Sequence, residues 1–139
     1  MRKEIILSKI NEIEESVTLI EENIPEYFDD FESMGLLKDG IYKRIQYIIE
    51  NILDICAILN SDLKFSSPGE EDDLINNLIK NNVISDINGK KIKELKGFRN
   101  IIVHRYGKID DKLSFELIKE NLYDFENIIE NVKIVIEKY

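Results

Sequence analysis

Apolar side chains recur at intervals of three or four residues along three long segments of this 139-residue chain. This spacing places each set on one face of an α-helix, with acids and lysines on the opposite face. Because one such stripe is stable only when it is buried against another, the three segments must pack together. The stripes are Ile6, Ile10, Ile13, Val17, Ile20 and Ile24; Ile41, Ile45, Ile48, Ile52, Ile55 and Leu59; and Phe115, Ile118, Leu122, Phe125, Ile129, Val132 and Ile136.

Local signals set the ends of the first helices. Pro25 ends the first helix, and residues 25–34 are expected to form a short helix or structured turn that Gly35 closes. The second helix is expected to end before Asn60, where the apolar spacing stops.

A short helix is predicted after a loop that starts at Ser61. In this loop, Ser67 has the character of an N-cap, with Pro68 at the first helical position and acids in the first turn. The helix carries Leu74 and Leu78 on its apolar face and frays at Asn81.

Two further caps define the end of the chain. Ser85 is predicted to cap a fourth long helix, whose first turns Gly89 weakens and which ends with Gly107 at position C′. Asp110 or Asp111 then caps the last helix.

These segments together predict an all-α fold, most simply an antiparallel four-helix bundle with one or two additional short helices. With 43% hydrophobic residues the chain can build a core, and its length is that of a common domain. We therefore expect residues 1–139 to form a single helical domain, and an all-β fold is excluded.

Several function classes are disfavoured by the sequence. The one cysteine, Cys56, cannot form an intramolecular disulfide, and no cluster of residues has metal-ligand spacing. No apolar run approaches the ~18 residues of a membrane span, and the N-terminus does not resemble a signal peptide. We expect a cytoplasmic protein that uses no metal, no cofactor and no membrane.

The net charge of −9 conceals a basic segment between Lys90 and Lys108. This segment has seven basic residues and one acid, so it carries +6 while the rest of the chain carries −15. Such a segment is either a solvated helix face or a local binding site for phosphate groups. Candidate RNA-binding side chains within it are Lys96, Arg105 and Lys108.

The only histidine, His104, lies inside this segment together with Arg99, Asn100 and Tyr106. On one straight helix Asn100 and His104 are neighbours, whereas Arg99 and His104 point about 140° apart. They can meet on one ligand only if the helix unwinds before His104 or if two copies of the chain meet at a dimer interface.

These residue types suit cleavage of RNA without a metal ion. Imidazole transfers protons near neutral pH, guanidinium binds phosphate through two N–H groups, and asparagine can orient either of them. RNA supplies its own nucleophile, the 2′-hydroxyl, so a base, an acid and a cation are sufficient. A simple phosphate-binding surface fits the same residues equally well on chemistry alone.

The segment Arg99-Asn100-Ile-Ile-Val-His104-Arg105-Tyr106 fits the pattern R-x-x-x-x-H-x-Y, with a polar residue after the arginine. It resembles the HEPN superfamily and, within it, the HepT-like toxin branch. The order of the helices and the chain length are similar as well, so the resemblance extends over essentially the whole chain.

The resemblance implies a helical homodimer whose two motifs line a cleft, acting as a metal-independent ribonuclease toxin on RNA. It implies Arg99 and His104 as catalytic residues, assisted by Asn100. It also implies a minimal nucleotidyltransferase antitoxin as partner, which transfers AMP to Tyr106 and silences the toxin. The alternative for Tyr106 is that it only packs its ring at the end of the helix.

Two other functions fit the sequence. The first is a non-catalytic HEPN module that docks the nucleotidyltransferase or presents nucleotide to it, and the second is a plain helical dimerisation protein. Among other residues, Glu50 and Asp54 either orient Arg99 or His104 or belong to a solvated face, and Gly97 either allows close helix contact or is tolerated. Cys56 is expected in the core.

Overall fold

Nearly all residues of the three apolar stripes lie in the core, on the inner faces of long helices. The computed structural model describes residues 1–139 and contains no β-strand. Four helices are long and two are short, which confirms the predicted all-α bundle with additional short helices. The helices are α1 Lys3–Asn23, α2 Phe28–Glu32, α3 Leu36–Asp62, α4 Glu71–Lys80, α5 Asp86–His104 and α6 Asp111–Lys138, with a 3-10 turn at Tyr106–Lys108.

Helix α3 is the centre of the bundle, because it packs against α1, α4 and α5. Helix α6 packs against α2 and also contacts α1 and α5. Thirty-three buried apolar residues from all six helices and the α4–α5 connection join into one continuous core cluster. None of the helices combines the length and the apolarity that crossing a membrane requires.

Aromatic rings connect the short helix α2 to the first turns of α3 and α6. Phe31 is completely buried, and its ring centroid lies 5.0 Å from that of Phe115 and 5.8 Å from that of Tyr42. Gly35, with a φ of +63°, makes the tight turn from α2 into α3. The predicted short helix closed by Gly35 is therefore confirmed.

Helices α4 and α5 approach closely at Gly89. A side-chain carbon at this position would lie 2.6 Å from Cγ1 of Ile79, which is too close for two carbon atoms. Gly89 is thus more than a weak point at the start of α5, because its missing side chain lets the end of α4 contact the start of α5.

The predicted start of the first short helix after α3 is wrong. Helix α4 begins at Glu71, not at Pro68, because Glu70 and Asp73 form a capping box in which the Glu70 amide donates to Asp73 at 3.1 Å. Ser67 lies before the helix and does not cap it. The amide of Asn77 donates instead to the carbonyl of Ser66 at 2.9 Å, which ties the loop to α4.

The predicted ends of two helices are also wrong. Helix α3 continues through Asn60 to Asp62, because the Asn60 side chain is buried and donates to the Ser66 carbonyl at 3.2 Å. Helix α5 ends at His104, and Gly107 lies in the 3-10 turn without the positive φ of a C′ glycine.

The predicted caps of the last two long helices are confirmed. Ser85 accepts a hydrogen bond from the backbone N–H of Asn88 at 3.1 Å. Asp110 accepts from the backbone N–H groups of Lys112 and Leu113. Both caps satisfy N–H groups that the first turn of a helix cannot bond internally.

Replacing Gly89 with alanine should destabilise the protein. Alanine gains about 1 kcal/mol of helix propensity over glycine, but forcing a methyl group against Ile79 costs about 1–3 kcal/mol. The matched control is Gly40→Ala in α3, where no atom lies within 4 Å of an added carbon. Urea unfolding should show a less stable Gly89→Ala protein and a more stable Gly40→Ala protein. Equal gains in both would contradict the close approach at Gly89.

Candidate functional site

The predicted motif lies at the exposed end of α5 and in the 3-10 turn after it. His104 is the last residue of α5, and Tyr106 begins the 3-10 turn. Every side chain from Val103 to Lys108 is exposed to solvent. This part of the motif is therefore accessible to a large ligand such as a nucleic acid.

The guanidinium of Arg99 is held in place from two directions. Its Nη2 lies 2.8 Å from Oε1 of Glu71 on α4, and its Nε donates to Oδ1 of Asn100 at 2.9 Å. The Arg99 side chain is only 16% exposed. Asn100 could orient either Arg99 or His104. Within one chain its side chain bonds to Arg99 and not to His104.

His104 makes no hydrogen bond within the chain, and its side chain is exposed. No hydrogen bond joins it to Arg99 or Asn100, although Asn100 lies one helical turn before it. The helix remains regular through His104, so it does not unwind to bring Arg99 and His104 together. Within one chain the two residues therefore do not form a common site.

Helix α4 aligns its acids and amides along the basic face of α5. Asp72 accepts from Nζ of Lys96 at 2.6 Å, and Asn76 accepts from Nζ of Lys93 at 2.5 Å. The hydrogen bond from Lys96 holds the pKa of Asp72 below its usual value. The two helices thus run in opposite directions, with Gly89 at one end of the contact and the pair of Arg99 and Glu71 at the other.

The three predicted RNA-binding cations differ in their surroundings. Lys96 is paired with Asp72, whereas Arg105 and Lys108 are exposed and have no carboxylate within 4.0 Å. Carboxylates thus pair with some of the basic side chains of the segment and leave the others unpaired. Its cations without a carboxylate partner are Arg105 and Lys108 next to the motif and Lys90 and Lys93 near the start of α5.

Tyr106 contacts helix α3 through both its hydroxyl and its ring. The hydroxyl donates a hydrogen bond to Asp39, and the ring meets the edge of Tyr42 with centroids 5.6 Å apart. Partial burial, followed by the hydrogen bond to Asp39, raises the pKa of Tyr106 well above its usual value. The ring does pack, as the structural alternative predicts, but the side chain remains 41% exposed.

A second hydrogen-bond network supports Tyr42. Its hydroxyl donates to Oδ1 of Asp111 at 2.7 Å, and Nζ of Lys38 lies 2.8 Å from Oδ2 of the same carboxylate. Burial alone would raise the pKa of Asp111, but the hydrogen bonds from Lys38 and Tyr42 outweigh it and lower the pKa. This network fixes the start of α6 against α3.

Glu50 and Asp54 do not orient the motif. Glu50 accepts from the Gln46 amide at 2.9 Å, and Asp54 pairs with Lys9 of α1 at 3.3 Å. The acids that contact the motif are instead Glu71 and Asp39. The sequence signal for Glu71 was the run of acids at the start of α4, which by itself indicates only a helix N-terminus.

The other two singled-out residues have simple surroundings. Cys56 is buried in the core as expected, and burial raises the pKa of its thiol to about 12. Gly97 is exposed, and a side-chain carbon there would meet no atom within 4 Å. It therefore allows no close helix contact within one chain.

Known proteins resemble this chain along most of its length. The family described as ribonuclease HepT-like matches residues 13–132. The mRNA nuclease HepT of Shewanella oneidensis is 27% identical over 132 residues, which cover 94% of this chain and 97% of that protein.

Two solved structures show the same fold. The tri-AMPylated HEPN toxin of Shewanella oneidensis, in complex with MNT antitoxin, has a TM-score of 0.85 at 26% identity and covers 94% of this chain and 97% of its own. The Bacillus subtilis cytosolic protein of unknown function YutE has a TM-score of 0.84 and covers 99% of this chain and 92% of its own. At 18% identity, this second likeness concerns the fold alone.

Replacing Asp111 with asparagine should lower stability in a pH-dependent way. Because the pKa of Asp111 is lowered by folding, its charge contributes stability above the unfolded-state pKa near ~3.9 and loses it as pH falls through the folded-state pKa. We expect a loss on the order of 1–2 kcal/mol at pH 7, measured by urea unfolding, that shrinks below pH ~4.

The neighbouring substitution Asp110→Asn is the control. Asparagine caps a helix as well as aspartate does, so this variant should stay close to the wild type at each pH. A stability loss for Asp111→Asn that is equal at pH 7 and pH 3 would show that the charge of Asp111 contributes nothing.

Proposed function

Because the chain belongs to the HepT-like ribonuclease family, we propose that it is a toxin that cleaves RNA without a metal ion. In this proposal residues 1–139 act as one domain, and Arg99 and His104 are the catalytic residues. The observation that carries it is an intact motif at an exposed helix end, in which the guanidinium of Arg99 is fixed and the imidazole of His104 is unengaged.

Each motif residue has a chemical role in this reaction. His104 exchanges protons with the attacking 2′-hydroxyl or the leaving 5′-oxygen, because its nitrogens are exposed and unpaired. Arg99 stabilises the negative charge that develops on the phosphate. Asn100 holds the Nε edge of Arg99, so that Nη1 is left for the phosphate. The expected product is a 2′,3′-cyclic phosphate.

The proposed active form is a homodimer. Arg99 and His104 do not meet within one chain, so a second copy would have to bring one motif opposite the other. The outward face of α5 suits such a contact, because Gly97 leaves open space there and Ile101, one turn later on the same face, is 44% exposed. Burying this apolar side chain would favour dimer formation.

RNA would meet Arg105 and Lys108 first, because these cations are unpaired. Lys96 and Arg99 are held by Asp72 and Glu71, so a phosphate group would replace these carboxylates on binding. Both acids are about half exposed and can move aside without uncovering the core.

We further propose that a nucleotidyltransferase antitoxin is the partner and that it transfers AMP to Tyr106. The Shewanella oneidensis HEPN toxin, which has the same fold, is AMPylated in a complex with MNT antitoxin. Tyr106 is exposed and lies beside His104 and Arg105. An attached AMP would add a negative charge next to the cations that RNA needs.

One contact favours the non-catalytic alternative. Glu71 occupies Arg99 in the free chain, as it would in a module whose arginine is structural. Such a module would still present Tyr106 to the nucleotidyltransferase, so only measurement of RNA cleavage separates the two functions.

Loss of either catalytic side chain should abolish RNA cleavage. Arg99→Ala removes the phosphate contact and His104→Ala the proton carrier, so each should lower the rate at least ~100-fold in a gel assay of labelled RNA. Arg44→Ala is the matched control, since this arginine faces Ser16 of α1. Cleavage that stops with EDTA and returns with magnesium would contradict the metal-free mechanism.

Replacing Tyr106 with phenylalanine should keep the protein toxic when the nucleotidyltransferase is co-expressed. Phenylalanine keeps the ring on Tyr42 but has no hydroxyl to modify. Intact-protein mass measurement should show AMP on the wild type and none on the variant, and growth should stop only with the variant. If the variant is neutralised as well as the wild type, inhibition occurs by binding alone.

A further inference from the structure

The hydroxyl of Tyr106 is not free in solvent but is engaged by a carboxylate from a distant part of the chain. Asp39, in the first turn of α3, accepts its hydrogen bond across 67 sequence positions. Asp39 is itself exposed and has no cation within 4.0 Å. Its one side-chain hydrogen bond is therefore to the hydroxyl of Tyr106, whose proton must leave if the oxygen is to form a new bond.

The surrounding contacts fix the phenol relative to this carboxylate. Tyr42 lies one helical turn after Asp39 on the same face of α3, and its ring meets that of Tyr106 at 86°. Tyr42 is in turn held by Asp111 at 2.7 Å. The ring of Tyr106 thus packs against Tyr42 and its hydroxyl bonds to Asp39. These two contacts fix the position of the reactive oxygen.

An open groove lies beside this oxygen. It has a volume of about 370 Å³, which is in the range of sites for small ligands. The groove leaves the oxygen open to the α-phosphate of a nucleotide that the nucleotidyltransferase holds, and Lys43 on its wall has no carboxylate within 4.0 Å. The lining residues are Asp39, Lys43, Gln46, Ile102, Val103 and Tyr106.

We propose that Asp39 is the general base for AMPylation of Tyr106 by the nucleotidyltransferase. The inference rests on the proposed function and deepens it. The oxygen of Tyr106 attacks the α-phosphorus of a nucleoside triphosphate, and the bond from that phosphorus to the β-phosphate oxygen breaks. Pyrophosphate leaves, and the proton of the hydroxyl passes to the carboxylate of Asp39.

A base is needed because a neutral phenol is a poor nucleophile, and its surroundings disfavour spontaneous ionisation. Both partial burial and the nearby negative charge oppose formation of the phenolate. Removal of the proton during the attack avoids a free phenolate and typically accelerates such reactions 10²–10⁴-fold. The charged and titratable groups around the phenol are Asp39, Tyr42 and Lys43 on α3, Asp111 on α6, and the adjacent His104, Arg105 and Lys108.

The test compares the wild type with Asp39→Asn in the presence of ATP and the purified nucleotidyltransferase. Asparagine has the same shape and can still accept the hydrogen bond, but it cannot take the proton. Initial rates of AMP incorporation are followed by intact-protein mass measurement between pH 7 and 9. Asp30→Asn, an exposed acid on α2, is the control for the change in net charge.

We expect Asp39→Asn to slow incorporation about 100-fold at pH 7, while Asp30→Asn behaves as the wild type. The residual rate should rise about tenfold per pH unit, because the phenol must now ionise before it attacks, whereas the wild-type rate should change little. Asp39→Glu should restore part of the rate.

Three results would overturn the inference, and they differ from one another. If Asp39→Asn is modified as fast as the wild type, Asp39 has no role. If it is slower but its pH profile runs parallel to that of the wild type, Asp39 only positions the phenol. If the wild type gains no AMP, or Tyr106→Phe gains as much as the wild type, the proposed modification of Tyr106 itself is wrong.

Discussion

Burial of α3 among α1, α4 and α5 is the constraint on which the rest of the structure depends. Its inward-facing side chains are buried from Ile41 to Asn60, so water is excluded from the faces that α1, α4 and α5 cover. Its neighbours must then pack at defined heights and angles, because protein interiors leave few voids. This packing brings Asp39 and Tyr42 to the end of α5 and places α4 along the basic face of α5.

The features that could be predicted from the sequence are those set by residues close together in the chain. Apolar spacing depends only on the helical repeat, so the long helices were predicted within a few residues of their ends. Ser85 and Asp110 cap their helices through bonds to residues two or three positions away. The motif from Arg99 to Tyr106 was likewise visible, because all of its members lie within eight consecutive residues.

The parts that sequence could not predict depend on contacts between distant segments. Glu71 reaches Arg99 and Asp39 reaches Tyr106 only after the bundle has formed, and nothing in the motif points to either acid. The start of α4 was placed wrongly because Ser67 and Glu70 both suit an N-cap, and the capping box with Asp73 decided between them. Helix α5 likewise ends at His104 and not at Gly107, and Ile109 beyond this end packs against the core.

If Tyr106 is AMPylated as proposed, its contact with Asp39 bears on any nucleotide transfer after the first one. An ester to phosphate at this oxygen removes the hydrogen that Asp39 accepts and places a second negative charge beside it. Attraction then becomes repulsion, so the modified side chain would swing away from α3 and leave the edge of Tyr42 uncovered. The reaction would thereby eject its own product from the place where it formed. A further nucleotide could then be attached only to the end of the first, and the chain would grow outward into solvent.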